Sequence, residues 1–229
     1  MINENVFWVV EHDSKFARWA LDARIRMFRH LESRVDFDLI ENALDVGITA
    51  ERDRQETNVF EMRYPHKDRI TAISPQDASW IEKEWPGMKF VSGDGRDMPF
   101  EDNQFDLVVS FAVFEHVGST ENQMKFLSEC YRVARKHVFI ATPNAWYPIE
   151  LHTALPLIHW LPRWAHWKIL RRFRLEFFAD ENNLNLLTRR RIRNMCKKLG
   201  ISRYSIEHIR FFGLQSNLLL LIDKESDRL

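Results

Sequence analysis

The chain has 229 residues, 45% of them hydrophobic and 13% aromatic, which supplies a substantial core and excludes general disorder. Its 33 Lys and Arg balance 33 Asp and Glu, and zero net charge argues against a dedicated nucleic-acid binder. The two cysteines, Cys130 and Cys196, are too far apart in the chain for a disulfide scaffold or a Cys-rich zinc site. No apolar run reaches the ~20 residues that cross a bilayer, and no secretory pattern opens the chain, so a cytoplasmic location is expected.

Val6-Phe7-Trp8-Val9-Val10 predicts a short strand or packed arm, and Asp13 and Ser14 are suited to cap a helix beginning at Lys15. From Lys15 to about Arg34, Phe16, Trp19, Ala20, Ala23, Met27, Phe28 and Leu31 recur at helical spacing, with arginines expected on the opposite side. Strands are predicted at Ala43–Gly47, Arg69–Ile73, Lys89–Val91, Phe105–Ser110 and His137–Ala141. Helices fall between them at about Asp77–Glu84 and Glu121–Ala134. This alternation predicts a parallel sheet with helices on both faces, and ligands bind such sheets beyond the carboxyl ends of the strands. Thr188 is placed to cap a basic helix, Arg189–Leu199, that Gly200 stops. Two apolar strands come next, Tyr204–Phe211 and Asn217–Ile222, joined by a turn at Gly213 and expected to pair antiparallel at the sheet edge.

Neither a G-x-x-x-x-G-K-[ST] nor a G-x-G-x-x-G fingerprint occurs. Instead Asp45-Val46-Gly47 ends the first strand, and Gly93-Asp94-Gly95-Arg96-Asp97-Met98-Pro99-Phe100 comes after the third. Phe105–Ser110 then leads into Phe114-Glu115-His116-Val117, and the next strand ends in Ala141-Thr142-Pro143-Asn144. This order resembles the class I S-adenosylmethionine-dependent methyltransferases, in particular a bacterial group with an aspartate-rich loop before the fourth strand and Glu-His-Val after it. The resemblance implies an α/β, Rossmann-like fold with a mostly parallel seven-stranded sheet and a C-terminal antiparallel hairpin. It also implies one domain over 1–229: an N-terminal arm and helix to 40, a cofactor-binding core over 41–145, a lid over 146–180, then the C-terminal helix and hairpin.

By that resemblance Asp45, Val46, Gly47 and Thr49 line the loop beside the methionine end and ribose of the cofactor. Asp94 accepts from the adenine amino group, and Gly95 and Arg96 continue the adenine side. Ser110 and Phe111 end the fourth strand near the sulfonium. The first loop departs from the family's D-x-G-x-G-x-G by keeping only Gly47, in Asp45-Val46-Gly47-Ile48-Thr49-Ala50-Glu51. A subgroup with a D-V-G-V-T loop is similar to it. Ser74 stands where the family carries its ribose-binding acid, with Asp77 three residues on as the substitute.

His116 comes after the fourth strand, and Glu150 and His152 after the fifth, where a general base for an alcohol belongs. His152, His159 and His166 recur every seven residues, but Pro156 and Pro162 interrupt any shared helix, so no metal site is expected. The lid, Trp146–Phe178, interleaves Trp160, Trp164 and Trp167 with Arg163, Lys168, Arg171 and Arg172, over a helix from about Arg163 to Arg174. The favoured expectation packs its indoles on the body; the alternative docks them peripherally on the inner face of a membrane. The basic run from Arg189 to Lys198 reads as a solvated helix face.

The phrase from Pro143 to Pro162 resembles insertions in methyltransferases of bacterial surface-polysaccharide metabolism. The expected function is therefore O-methylation of a sugar, glycan or related small hydroxyl acceptor. The alternatives are a lipid-soluble, quinone-like acceptor or a non-catalytic scaffold subunit.

Overall fold

The computed structural model describes residues 15–52 and 57–224. The expected arm at Val6–Val10 and the caps Asp13 and Ser14 lie outside the described residues. Among the described residues, β1 (Ala43–Val46), β2 (Ile70–Ser74), β3 (Lys89–Ser92), β4 (Phe105–Phe111), β5 (Ala134–Pro143), β6 (Tyr204–Phe211) and β7 (Leu214–Asp223) form one sheet. Its order is β3-β2-β1-β4-β5-β7-β6. The first five strands run parallel, and β7 lies antiparallel between β5 and β6. The α/β, seven-stranded fold with a C-terminal antiparallel hairpin is the one expected from the sequence.

The central strands carry long apolar runs because both of their faces are covered. Leu107 and Val109 face one core, with Phe28, Leu31, Phe60 and Phe139; Val108 faces the other, with Phe126, Cys130 and Ile192. The first core packs under α1 (Lys15–Glu32), α2 (Val59–Arg63) and α3 (Ile81–Glu84). The second packs under α4 (Thr120–Val133) and α6 (Arg189–Lys198). Ser119 caps α4 by accepting from the Asn122 N–H, and Thr188 caps α6 by accepting from the Arg191 N–H. The β6–β7 turn puts Phe212 at φ +49° and Gly213 at φ +79°, the sense of twist that a two-residue hairpin requires.

Three expectations are corrected. The helix at Asp77–Glu84 shrinks to the single turn of α3, because the Asp77 carboxylate accepts from the Ser79 N–H at 2.9 Å and holds a turn instead. The arginines of α1 are not all on its outer side: Arg24 is buried, on the stripe that carries Ala20, Met27 and Phe28. In the lid, α5 (Arg163–Arg172) lies between 3-10 turns at Ile158–Trp160 and Glu176–Ala179 and closes a small core of Leu170, Phe178, Ala179 and Leu184. Trp167 packs there between the guanidinium groups of Arg163 and Arg171, but Trp146, Trp160 and Trp164 are exposed.

Candidate active site

The register sets Asp45 level with Ala72 on β2 and Val109 on β4, so the loops after β1, β2 and β4 rise from one rim. A cavity of about 340 Å³ opens between them. Gly47 turns the chain at its floor with φ +101°, and its N–H donates to the Ile73 carbonyl at 2.8 Å. A Cβ on Gly47 would lie 2.4 Å from a Val113 methyl, and one on Gly95 would lie 2.7 Å from the Phe126 ring. Backbone therefore forms both walls, because no side chain fits.

The later glycines that the first loop lacks are replaced by a side-chain clip. Asn58, at φ +53°, accepts from the Thr49 N–H at 3.1 Å and donates to the Thr49 carbonyl at 3.2 Å. The Trp80 indole donates to the Ala50 carbonyl at 3.2 Å and pins the next residue. The loop thus keeps a defined shape by hydrogen bonding where the glycines would have given it by conformational freedom.

Two acids lie beneath this loop. Asp45 and Glu61 are buried and share a hydrogen bond, so one carboxyl holds a proton for the other. Burial, then the Glu61 charge, pushes Asp45 well above the carboxylate range, and burial likewise raises Glu61. Glu61 Oε1 has no hydrogen-bond partner.

Of the expected cofactor residues, Asp45, Val46, Gly47, Thr49, Ser74, Asp94, Gly95, Arg96 and Phe111 line the cavity. The Asp94 carboxylate is gripped by Arg96, through its backbone N–H and Nε at 2.9 Å and Nη2 at 2.5 Å. The Arg96 hydrogen bond holds the Asp94 pKa below the ordinary value. Two expected residues fall elsewhere. Ser110 is buried under the floor, where its hydroxyl donates to the Val46 carbonyl at 2.8 Å and ties β4 to β1. Asp77 is exposed in its own turn, and Gln76 lines the cavity in its place.

His116, Glu150 and His152 do come together. His116 Nε2 lies 3.0 Å from His152 Nε2, and His152 Nδ1 lies 2.7 Å from Glu150 Oε1. Glu150 also accepts from the backbone N–H groups of His152 at 2.9 Å and Thr153 at 2.8 Å. Burial alone would raise Glu150, but the His152 charge and these donors hold it at about 2. Burial opposes protonation of His152, and Glu150 outweighs it, so the His152 pKa is raised. Burial, helped by the His152 charge, takes His116 down to about 3. His116 lines the large cavity. His152 lines a second cavity of about 60 Å³, walled by Trp19, Met27, Leu151 and Phe211, with Asn217 among its polar groups. Arg24 and Ala112 line both.

Glu115 joins the same cluster: one ligand atom each from Glu115, His116 and His152 lie within 4.8 Å of one another. His116 and His152 are 36 residues apart and meet only because β4 and β5 are neighbours. The heptad partners take other roles: His159 bonds the Tyr147 carbonyl at 3.0 Å. Sequence reasoning also missed Arg24, Asn58, Glu61, Gln76 and Asn217. Arg24 had a signal, a cation on the apolar stripe of a helix; Asn58 and Asn217 had none.

The fold is that of the class I, S-adenosylmethionine-dependent methyltransferases. Residues 44–142 match the family model described as a methyltransferase domain. A Thermotoga maritima S-adenosylmethionine-dependent methyltransferase, described as a possible histamine N-methyltransferase, is similar at 12% identity and a TM-score of 0.58, over 92% of this chain and 95% of that one. The N-methyltransferase NodS of Bradyrhizobium japonicum, solved with S-adenosylhomocysteine, is similar at 14% identity and a TM-score of 0.56, over 93% and 90%. The Burkholderia thailandensis 1,6-didemethyltoxoflavin-N1-methyltransferase, with its substrate and S-adenosylhomocysteine, is similar at 12% and 0.55, over 93% and 79%. No curated protein matches the chain. The cavity suits S-adenosylmethionine: its glycine walls admit close approach, and the unpartnered Glu61 oxygen beside Asp45 suits a cationic ligand.

Proposed function

We propose that this chain transfers the methyl group to the hydroxyl of a small acceptor, a sugar or glycan unit, whose reacting edge enters the smaller cavity. The observation that carries this reading is the buried Glu150–His152 pair, whose His152 lines that cavity. A neutral amine is already a nucleophile, whereas an alcohol needs help to lose its proton. The rim residues supply alignment and a dry pocket, and the bound cofactor supplies the electrophilic methyl group. Asp45 and Glu61 would hold its ammonium, Arg24 its carboxylate, Ser74 and Gln76 the ribose, and Asp94 and Gly95 the adenine edge, since all of them line the larger cavity.

At the acceptor, Asn217 Oδ1 is buried without a partner and would accept from a hydroxyl. Trp19 and Phe211, with ring centroids 5.3 Å apart, offer an aromatic surface to the apolar face of a sugar ring. The test is a methyl-transfer assay on matched hydroxyl and amine acceptors. Hydroxyl products are expected, and Asn217→Leu should raise the acceptor KM by about tenfold to a hundredfold with cofactor affinity unchanged. Methylation of the amines alone would overturn the reading.

One observation favours a lipid-carried acceptor as a second reading. Trp146, Leu157, Trp160, Leu161 and Trp164 are exposed in the lid, and Trp164 is 73% exposed. No helix among the described residues is long and apolar enough to cross a membrane, so contact would be peripheral. Salt-sensitive co-sedimentation with anionic vesicles, lost in an Arg171→Ala, Arg172→Ala pair, is its expected signature. Absence of binding at low salt would exclude it.

A further inference from the structure

We propose that Glu115, His116 and His152 bind one divalent transition-metal ion, zinc by ligand type, at the junction of the two cavities. The three ligand atoms are Glu115 Oε1, His116 Nε2 and His152 Nε2. They are separated by 3.0 Å between the nitrogens, and by 3.9 and 3.7 Å from the carboxylate oxygen. A point equidistant from three such atoms lies about 2.1 Å from each, which matches zinc–nitrogen and zinc–oxygen bonds.

The contact between the rings is bent. A straight N–H···N bond of 3.0 Å would place the two ring centroids about 5.3 Å apart. They are 4.7 Å apart with the planes at 89°, so the two rings do not meet along one straight axis and an ion to the side of that axis can reach both Nε2 atoms. Glu115 Oε1 is buried without a hydrogen-bond partner, and its side chain is wholly inaccessible. The outer contacts are those that orient metal ligands. His152 Nδ1 faces the Glu150 carboxylate at 2.7 Å, and His116 Nδ1 faces the Asn183 carbonyl at 2.7 Å. The second Glu115 oxygen accepts from the Thr142 hydroxyl at 2.8 Å. Each Nδ1 faces an oxygen acceptor, which sets Nε2 as the nitrogen that would bind the ion, in place of the contact between the two Nε2 atoms. Two histidines and one carboxylate make a three-ligand set that keeps a position open for substrate.

That position faces both cavities, since His116 lines one and His152 the other. Resting on the hydroxyl-transfer reading, the ion's role is to bind the acceptor oxygen and lower its pKa. With His152 Nε2 on the ion, the Glu150–His152 pair helps the hydroxyl lose its proton through the metal and not as the base itself, and the proton passes to water. The oxygen lone pair forms the new carbon–oxygen bond as the carbon–sulfur bond breaks, and that electron pair stays on sulfur.

The experiment titrates Zn²⁺, and separately Co²⁺, into chelator-stripped full-length protein, by calorimetry and visible absorption. One ion per chain is expected, with intense four-coordinate Co²⁺ bands. His116→Ala and His152→Ala should abolish binding, and Glu150→Gln should weaken it by about tenfold to a hundredfold. Circular dichroism checks that each variant is folded; should Glu150→Gln fail to fold, Thr142→Val, which removes the donor to Glu115, takes its place with the same expectation. Absence of stoichiometric binding to the folded wild type, or binding unchanged in both histidine variants, overturns the proposal. Full hydroxyl methylation by stripped protein would also overturn it while leaving the acceptor reading intact. Tight metal binding with methyl transfer to amines alone would remove the acceptor reading and leave the site standing.

Discussion

Replacing Gly47 by alanine asks whether the floor of the cofactor cavity is set by backbone geometry. The new Cβ would lie 2.4 and 2.9 Å from the two Val113 methyls. It would also sit on a residue at φ +101°, where a side chain is strained. Backbone strain of this kind costs about 1–3 kcal/mol. Overpacking costs roughly as much again, about 1–3 kcal/mol. Gly47→Ala is therefore expected to destabilise the protein by about 2–6 kcal/mol. The two parts separate in a double-mutant cycle. Val113→Ala removes both methyls and leaves a Cβ–Cβ approach of 3.1 Å, which relieves the clash but not the strain. The double variant should be more stable than the sum of the singles by about 1–3 kcal/mol. Urea unfolding followed by circular dichroism gives these energies, and calorimetry with S-adenosylhomocysteine reports whether the loop has moved. Coupling within about 0.5 kcal/mol of zero would refute the argument that Val113 confines this turn.

Asp94→Ala removes a hydrogen-bond acceptor from the adenine side and releases Arg96, so cofactor affinity should fall by about tenfold to a hundredfold in calorimetry. Asp77→Ala should leave that affinity unchanged, because Asp77 is exposed outside the cavity, while Gln76→Ala should lower it. Asp106 governs acid stability. Burial would raise its pKa, but the Arg135 hydrogen bond, the Glu41 N–H and the charges of Arg135 and Lys136 hold it below the ordinary value. Its contribution is complete above the unfolded pKa of about 3.9 and is lost as pH falls through the lower folded value. Asp106→Asn should cost about 1.5–3 kcal/mol at neutral pH, and the urea midpoints of variant and wild type should converge only as pH falls through the lowered folded value.

The parts of the fold legible in the sequence are those fixed by local pattern. Phe105–Ser110 reads as a buried strand because both faces are covered, and Ser119 and Thr188 sit where caps must sit. The short helix α2 is hidden because its first turn is held by Asn58, and a side-chain clip to Thr49 has no composition of its own. Asp77 misleads for a different reason. One residue decides which side chain faces the cavity, and a strand end does not fix that register in sequence. His116, His152 and Glu150 are each visible, since they come after strands that end at the rim. Their meeting is not, because 35 residues, Pro143 and Pro148 among them, lie between the two histidines, and only the adjacency of β4 and β5 closes that gap.

The smaller cavity has an unusual provenance. Of its walls, only Ala112 falls within the methyltransferase domain at residues 44–142; Pro143 lies just past its end. Trp19, Arg24 and Met27 come from α1, Leu151 and His152 from the lid's first turn, Phe211 and Asn217 from the hairpin. The donor half of the machine and the acceptor half are thus written in different stretches of chain. Exchanging the β6–β7 hairpin against that of a similar protein would reshape the smaller cavity while the loops of the larger one stay untouched. The helix α1 could not go with it, because its Arg24 lines both cavities and ties the flank to the cofactor side.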